Sequence, residues 1–166
     1  MSTPNQGPAA ASQAPATPSQ APAPLNHGPA AVTRRFVEAV NSCDADKVLA
    51  QVTDNHVFTD SLGFRTSGRG GLREAWASYF KTVPDYRITL DQVIEHGEVV
   101  VAFGMATGTW KNGGALLPEN RWSAPAAWRA VVRAGLVAEW RVYCDNEPLR
   151  AIVRRNAASQ PAAPPS

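Results

Sequence analysis

Apolar residues at helical spacing open the domain and predict three helices. The first spans residues 29–41, with Pro29 in its first turn, and its apolar face consists of Val32, Phe36, Val37 and Val40. Asp44 is suited to cap a short second helix. A third helix follows the glycine-rich segment 67–71 and stops before Pro84. Its apolar stripe consists of Leu72, Ala75, Trp76, Tyr79 and Phe80.

Alternating apolar and polar residues predict strands before the third helix and after it. The first strand covers residues 56–63, where Phe58 and Asp60 share a face because they are two residues apart. Four longer strands are predicted at 86–94, 99–110, 122–132 and 136–143. Turns are predicted at 96–97, 111–114 and 134–135, and a short closing helix at 149–155. Helices followed by a meander of strands predict an α+β fold, with the helices on one face of an antiparallel sheet.

Composition divides the chain into one domain and two tails. Residues 1–28 contain no Asp, Glu, Lys or Arg, and residues 157–166 have the same Pro- and Ala-rich character. We predict that both tails are disordered, because they offer too little apolar surface to offset chain entropy. The domain then spans residues 29–156. The first tail lacks the features of a signal peptide, and no stretch approaches the roughly 20 apolar residues that span a bilayer.

Charge and cysteine content narrow the classes of partner. The net charge of +2 is small and the basic residues are scattered, which argues against a nucleic-acid or membrane partner. We interpret the basic residues near the end, Arg150, Arg154 and Arg155, as a solvated surface. Cys43 and Cys144 are too few for a disulfide framework, so we expect a reduced, cytoplasmic setting. No residues have metal-ligand spacing, so we expect neither a metal nor a cofactor.

The five tryptophans are numerous for a domain of this size. One lies on the predicted third helix and four lie on the predicted sheet: Trp76, and then Trp110, Trp122, Trp128 and Trp140. Core filling explains each of them singly. Together, on a curved sheet that helices close, they fit the lining of an apolar ligand pocket.

Three stretches carry a family resemblance: 35–41 (RFVEAVN) with Asp44, 57–63 (VFTDSLG) with Gly68, and 138–145 (AEWRVYCD). They resemble the nuclear-transport-factor-2-like superfamily, and within it the SnoaL-like polyketide cyclases and the ketosteroid isomerases. The resemblance covers nearly all of residues 30–153. It implies a cone-shaped fold with three N-terminal helices packed on a strongly curved, mostly antiparallel sheet that encloses an apolar pocket. It leaves function open, because isomerases, cyclases, dehydratases, hydrolases and binding modules share this fold.

Resemblance to the isomerases implies that Asp60 is a general base that moves a proton beside a ketone. Those enzymes also use a Tyr on the first helix and a protonated Asp on a later strand as donors to the enolate oxygen. Here the first position is Phe36 and the second falls near Ala127, so neither donor is present. Losing one such donor typically costs roughly 100- to 1000-fold in rate. An indole N–H of Trp76 or Trp128 would have to substitute.

Two other branches of the superfamily resemble this sequence to different degrees. The epoxide hydrolases place an Arg and an Asp on a central strand, but residues 99–110 contain no charged residue, so that reaction is not expected. The SnoaL-like cyclases match at Trp140 and Asp145, which implies that Asp145 is a general acid or base. The same Asp-Asn-Glu-Pro sequence is equally a turn and helix cap. His56 is in phase with Phe58, so it faces the cavity or lies at its rim.

The sequence therefore predicts a cofactor-independent isomerase, cyclase or dehydratase for an apolar carbonyl compound, with Asp60 and Asp145 as its catalytic residues. The predicted substrate contacts are Phe36, His56, Phe58, Trp76, Tyr79, Trp110, Trp128 and Trp140. Two alternatives stay open: a pocket protein that binds such a ligand without catalysis, and a module that dimerises through the open face of the sheet. The expected partners are a small apolar ligand and a second copy of the chain.

Overall fold

The computed structural model describes residues 28–111 and 114–158. The two predicted disordered tails lie outside the described residues, apart from Gly28 and residues 157–158, and so does part of the predicted turn at 111–114. The helices are α1 (Pro29–Asn41), α2 (Ala45–Leu49), α3 (Arg69–Thr82) and α4 (Glu147–Ala158). The strands are β1 (Val52–Thr59), β2 (Arg65–Ser67), β3 (Arg87–His96), β4 (Val99–Thr109), β5 (Arg121–Arg133) and β6 (Leu136–Cys144).

The six strands form one curled, open sheet in the order β2-β1-β6-β5-β4-β3. All neighbouring pairs are antiparallel except β1 and β6, which are parallel.

The predicted α+β class with a mostly antiparallel sheet is confirmed. The strand predicted at 56–63 is displaced, because β1 begins at Val52 and ends at Thr59. β2 was not predicted; it has only three residues and no buried side chain, so no hydrophobic pattern marks it.

A glycine and a bulge accommodate the close approach of β3 and β4. The register between them shifts between Leu90 and Gln92, and Gly104 on β4 pairs with Leu90. A Cβ atom on Gly104 would lie 1.9 Å from the carbonyl oxygen of Thr89, so no other residue fits without moving the backbone. Bulges of this kind bend a strand and increase its twist. The bend contributes to the curl of the sheet.

The core lies between the concave face of the sheet and the helices. Helix α1 packs on β3, β4, β5 and β6, and α3 packs on α2, β1 and β2. Every second residue of β5 faces this core: Trp122, Ala124, Ala126, Trp128 and Ala130. Ala127 therefore lies on the opposite face of the sheet. In the described part of the chain, no helix is long and apolar enough to cross a membrane.

Candidate functional site

A cavity of about 620 Å³ lies among β1, α3, the concave face of the sheet and α4. Its wall is mainly apolar and includes six aromatic residues: Phe58, Trp76, Tyr79, Tyr86, Trp122 and Trp140. The volume falls within the range of roughly 300–1,000 Å³ that is typical of small-molecule sites. Five polar side chains join the lining, namely those of Asp60, Ser61, Asn146, Arg150 and Arg154. The cavity is therefore suited to a compact, mostly apolar molecule with a few polar groups.

Asp60 lies directly after β1, and the loop that follows fixes its carboxylate. The Oδ1 atom accepts hydrogen bonds from the backbone N–H groups of Leu62 and Phe64, each at 2.9 Å. The loop closes on itself because the Asp60 N–H donates to the Phe64 carbonyl at 3.0 Å, and Gly63 supplies a φ of +91°. No described residue donates to Oδ2. One carboxylate oxygen is thus held, and the other is free to accept a proton or a hydrogen bond.

The strand period brings Phe58 and Asp60 to the same cavity, as the sequence predicted for two residues on one face. The Phe58 ring lies 5.5 Å from that of Trp76 on α3, and Trp76 stacks on Phe80 at 5.2 Å. Aromatic pairs at such distances add stability beyond the area they bury. The wall beside the carboxylate is therefore packed and apolar.

Two tyrosine side chains line the cavity. Tyr79 on α3 and Tyr86, just before β3, have their rings edge to face with centroids 5.1 Å apart. Neither hydroxyl bonds to a described residue. Burial raises the pKa of both phenols, and the pKa of Tyr86 is raised further by the neighbouring Tyr79. Both side chains are consequently O–H donors throughout the neutral pH range.

The predicted site residues divide between the cavity and the structure behind it. Phe58, Trp76, Tyr79 and Trp140 line the cavity together with Asp60. The other predicted contacts, Phe36, His56, Trp110 and Trp128, lie outside the lining. The Phe36 and Trp128 side chains are fully buried and pack on Trp140, with ring centroids 4.8 and 6.3 Å away, respectively. They support the cavity wall from behind.

Asp145 is exposed and lies outside the cavity lining. Its Oδ1 atom accepts a hydrogen bond from the backbone N–H of Glu147 at 2.9 Å, at the first turn of α4. The sequence left two roles open for Asp145, a group in the pocket and a helix cap. This hydrogen bond is of the helix-capping kind. The residues on either side of it, Cys144 and Asn146, do line the cavity.

Helix α4 completes the cavity and is anchored near both ends. Leu149 and Val153 of this helix contribute to the lining. Ahead of the helix, Asn146 Nδ2 donates to Ser61 Oγ at 2.5 Å, which joins it to the loop that holds Asp60. Near its end, Asn156 Nδ2 donates to the buried Asn120 at 3.0 Å.

His56 belongs to the core and not to the rim. Its side chain is 1% exposed, and Nδ1 lies 2.8 Å from the Val137 carbonyl oxygen. Nε2 is buried and lacks a partner among the described residues. Desolvation lowers the pKa of His56, and this effect outweighs the opposing effects of the Val137 carbonyl and Glu139. The ring is therefore neutral at neutral pH, with Nδ1–H donating.

We expect His56 to make the domain sensitive to acid. Its folded-state pKa lies below the unfolded value of about 6.5, so the unfolded chain binds a proton that the folded chain does not. Stability should be full above about pH 6.5 and should fall as the pH decreases, by up to about 1.4 kcal/mol per pH unit. Urea unfolding between pH 5 and 8 measures this slope.

The matched control for this prediction is His96→Gln, which changes an exposed histidine at the end of β3. His56→Gln should flatten the pH dependence of the free energy of unfolding, and His96→Gln should preserve it. Parallel curves for the wild type and the His56→Gln variant would contradict the assignment.

Within the described residues, no three His, Cys, Asp or Glu side chains are grouped so that they could hold a metal ion. The Asp60 carboxylate, with one oxygen that no described residue bonds, lines a mainly apolar cavity together with the neutral side chains of Tyr79 and Tyr86. That combination can remove a proton from a carbon acid and stabilise the charge that results.

Comparisons with known proteins agree with this architecture. The family model for the SnoaL-like domain matches residues 33–140. One similar solved structure is a protein from Catenulispora acidiphila with a ketosteroid isomerase-like fold, in complex with trimethylamine. It is 14% identical to this chain with a TM-score of 0.65, and the match covers 78% of this chain and 97% of that protein. A search of curated proteins by sequence gives no match.

Two further solved structures share the fold. A Jannaschia sp. CCS1 protein assigned as a SnoaL-like polyketide cyclase is 16% identical with a TM-score of 0.65, covering 86% of this chain and 100% of its own. An LEH-like epoxide hydrolase of M. tuberculosis is 16% identical with a TM-score of 0.62, covering 79% and 92%. At these identities the likeness concerns the fold alone.

Proposed function

The chain belongs to the SnoaL-like domain family, and we propose that it is a cofactor-independent enzyme acting on an apolar small molecule that carries a carbonyl group. The proposed first step is removal of a proton from the carbon beside that carbonyl. Isomerisation, cyclisation and dehydration all proceed from this step. The proposal leaves open which of them follows.

The environment of Asp60 carries the proposal. Two backbone N–H groups hold Oδ1, no residue in the described part of the chain donates to Oδ2, and the side chain lines the cavity. A general base must be positioned and must keep a free lone pair within reach of its substrate. The loop provides the position and the unbonded oxygen provides the lone pair. Asp60 is therefore the proposed base.

The walls of the cavity favour the same class of substrate. Aromatic rings from α3, the sheet and the chain before β3 line much of the space. Electrostatic interactions are stronger beside apolar walls than in water, so a carboxylate that lines this space acts there with more effect than in solution. An apolar carbonyl compound gains free energy from contact with these walls.

Epoxide hydrolysis does not follow from the likeness to the LEH-like enzyme. Strand β4, which lies between β5 and β3 in the sheet, contains no charged side chain. The Arg–Asp pair that the resemblance requires there is therefore missing, and water activation by that pair is outside our proposal.

The experiment that tests the proposal is a screen of the full chain against apolar ketones and 1,3-dicarbonyl compounds. Quenching of tryptophan fluorescence reports binding, because Trp76, Trp122 and Trp140 line the cavity. Proton NMR of the same mixtures reports isomerised, cyclised or dehydrated products. Binding together with turnover supports the proposal. Binding of many members with turnover of none would overturn it in favour of a non-catalytic pocket protein.

We also propose that two copies of the chain associate through the convex face of the sheet. Phe103, Ala127 and Tyr143 lie opposite one another across β4, β5 and β6 and form an apolar row. The Phe103 side chain is 42% exposed and that of Tyr143 is 47% exposed. Exposed apolar patches on a sheet are typical of protein–protein contacts. This association is independent of the cavity on the other face.

We expect Phe103→Glu to convert a dimer into a monomer, because it places a charge in the middle of the row. Size-exclusion chromatography with light scattering measures the mass. The control is Leu117→Glu, which changes a residue of similar exposure away from the strands and should leave the mass unchanged. A wild-type chain that is monomeric at every concentration would contradict the proposed association.

A further inference from the structure

Two arginines of α4 line the cavity, and they differ in whether they have a partner. Arg150 and Arg154 are four residues apart, so they lie on the same side of the helix. Two nitrogen atoms of Arg154 donate to the two carboxylate oxygens of Glu147. The Arg150 side chain, in contrast, has no hydrogen bond or ion pair with any residue in the described part of the chain. Arg150 acts on Glu147 through its charge, but both oxygens of Glu147 are engaged by Arg154.

A short series of hydrogen bonds connects Arg150 to the loop that holds Asp60. The backbone N–H of Arg150 donates to the Asn146 carbonyl at 2.9 Å, within the first turn of α4. Asn146 Nδ2 in turn donates to Ser61 Oγ at 2.5 Å, and Ser61 directly follows Asp60. One turn of an α-helix rises only about 5.4 Å. The proposed base and the arginine therefore belong to neighbouring parts of the cavity wall.

The charged side chains of the lining favour an anionic group beside Arg150. Glu147 balances the charge of Arg154, and no ion pair joins Asp60 to Arg150. A guanidinium group presents its N–H donors in a planar fork that matches the two oxygens of a carboxylate. A carboxylate on the ligand would supply the acceptors that Arg150 lacks within the described structure.

We propose that the ligand carries a carboxylate group, which Arg150 binds while the apolar body of the ligand lies against the aromatic residues of the cavity. This inference rests on the proposed function and narrows its substrate class to apolar keto acids. In such a compound a short chain separates the carboxylate from the ketone, so that Asp60 can reach the carbon beside the ketone while Arg150 holds the acid. Arg150 takes no part in the proton transfer and is a residue that determines specificity.

A carboxylate fits this site better than a phosphate group does. Its single negative charge balances the single positive charge of Arg150. A phosphate monoester carries nearly two negative charges at neutral pH, and the second would lie unbalanced in a cavity that also contains the carboxylate of Asp60. Leu149 and Val153 join the two arginines in the lining, so α4 offers the ligand an apolar contact beside the charge.

The test compares two aromatic keto acids, 3-benzoylpropanoate and 4-benzoylbutanoate, with their uncharged methyl esters. Tryptophan fluorescence of the full chain measures each Kd at low ionic strength. Arg150→Gln should bind the acids about tenfold more weakly, as expected for loss of a hydrogen-bonded charge, and should bind the esters as the wild type does. Arg150→Lys keeps the charge but loses the planar fork, so its affinity for the acids should lie between the two. The matched control is Arg34→Gln, which removes the same charge from an exposed position on α1 outside the cavity lining and should behave as wild type.

Salt dependence separates an ion pair with the ligand from a structural role of Arg150. Arg150 is exposed, so added salt should screen its charge and weaken binding of the acids to the wild type. The same salt should have little effect on the acids with Arg150→Gln. Equal loss of acid and ester affinity in Arg150→Gln would assign Arg150 to the structure of the cavity and overturn the proposal. A wild type that binds the acids no more tightly than the esters, or that does not bind the acids, would overturn it as well.

The outcome is also distinguishable from that of the proposed function. Asp60→Asn should bind the keto acids at least as tightly as the wild type, because it removes a like charge from the cavity. Binding of the acids that depends on Arg150, without turnover of any ketone, would uphold the carboxylate site and reject the enzyme. Turnover of ketones that depends on Asp60, with acids and esters bound equally well, would reject the carboxylate site and uphold the enzyme.

Discussion

Asp60→Asn should lower turnover of a ketone substrate by about 10²- to 10⁴-fold, the usual contribution of a positioned general base. The substitution is close to a single-atom change in this structure. The side-chain carbonyl oxygen of Asn can still accept from the N–H groups of Leu62 and Phe64, so the loop should keep its shape. The free Oδ2 becomes an amide NH₂, which cannot take a proton. The loss should therefore appear in kcat and leave binding near the wild-type level.

The control for this experiment is Asp91→Asn, which removes the same charge from an exposed position on β3. Its kcat and KM should match those of the wild type. Steady-state kinetics on the three proteins, with tryptophan fluorescence for ligand affinity, makes the comparison. A full loss of ligand affinity in Asp60→Asn would show that the carboxylate holds the ligand instead of transferring its proton.

Trp128→Ala should destabilise the domain by about 3–5 kcal/mol. The Trp128 side chain is fully buried, and its ring stacks on Trp140 at 6.3 Å with an angle of 18°. Truncation leaves a cavity between the sheet and its covering helices that neighbouring residues can fill only in part. Domains of this size are stable by only about 5–15 kcal/mol, so the loss is a large share of the total.

Urea unfolding followed by circular dichroism measures this effect. Trp110→Ala is the matched control, because Trp110 is only half-buried and lies directly after β4. The loss of stability in this variant should be clearly smaller. A change below about 1 kcal/mol for Trp128→Ala would contradict its placement at the centre of the core.

Much of the fold was predictable because its helices and long strands follow simple periods. The apolar face of α1 and the alternation along β5 are regular, so both elements were predicted close to their observed bounds. β2 could not be predicted, since its three residues form a strand only when the loop at Gly63 returns them to β1. The hydrophobic pattern and the family resemblance together predicted the class of fold. β2 is the exception, because its pairing with β1 determines it.

The site was predictable to a lesser degree, because a period assigns a residue to a face but not to a depth on that face. Phe58 and Asp60 were placed on one face and do line one cavity. His56 shares their phase but is buried in the core, where β1 contacts β6. Tyr86 was missed, because a tyrosine at the start of a predicted strand gives no sign of where its hydroxyl lies. Asp145 carried two interpretations that only its contact with Glu147 distinguishes.

The most direct measurement is isotope exchange at the carbon beside the carbonyl group. A ketone that binds the protein is held at saturating concentration in D₂O, and proton NMR follows the loss of its α-hydrogen signal with the wild type and with Asp60→Asn. We expect rapid exchange with the wild type and exchange at least about 100-fold slower with the variant, at equal occupancy of the cavity. Equal exchange rates for the two proteins would show that Asp60 is not the base.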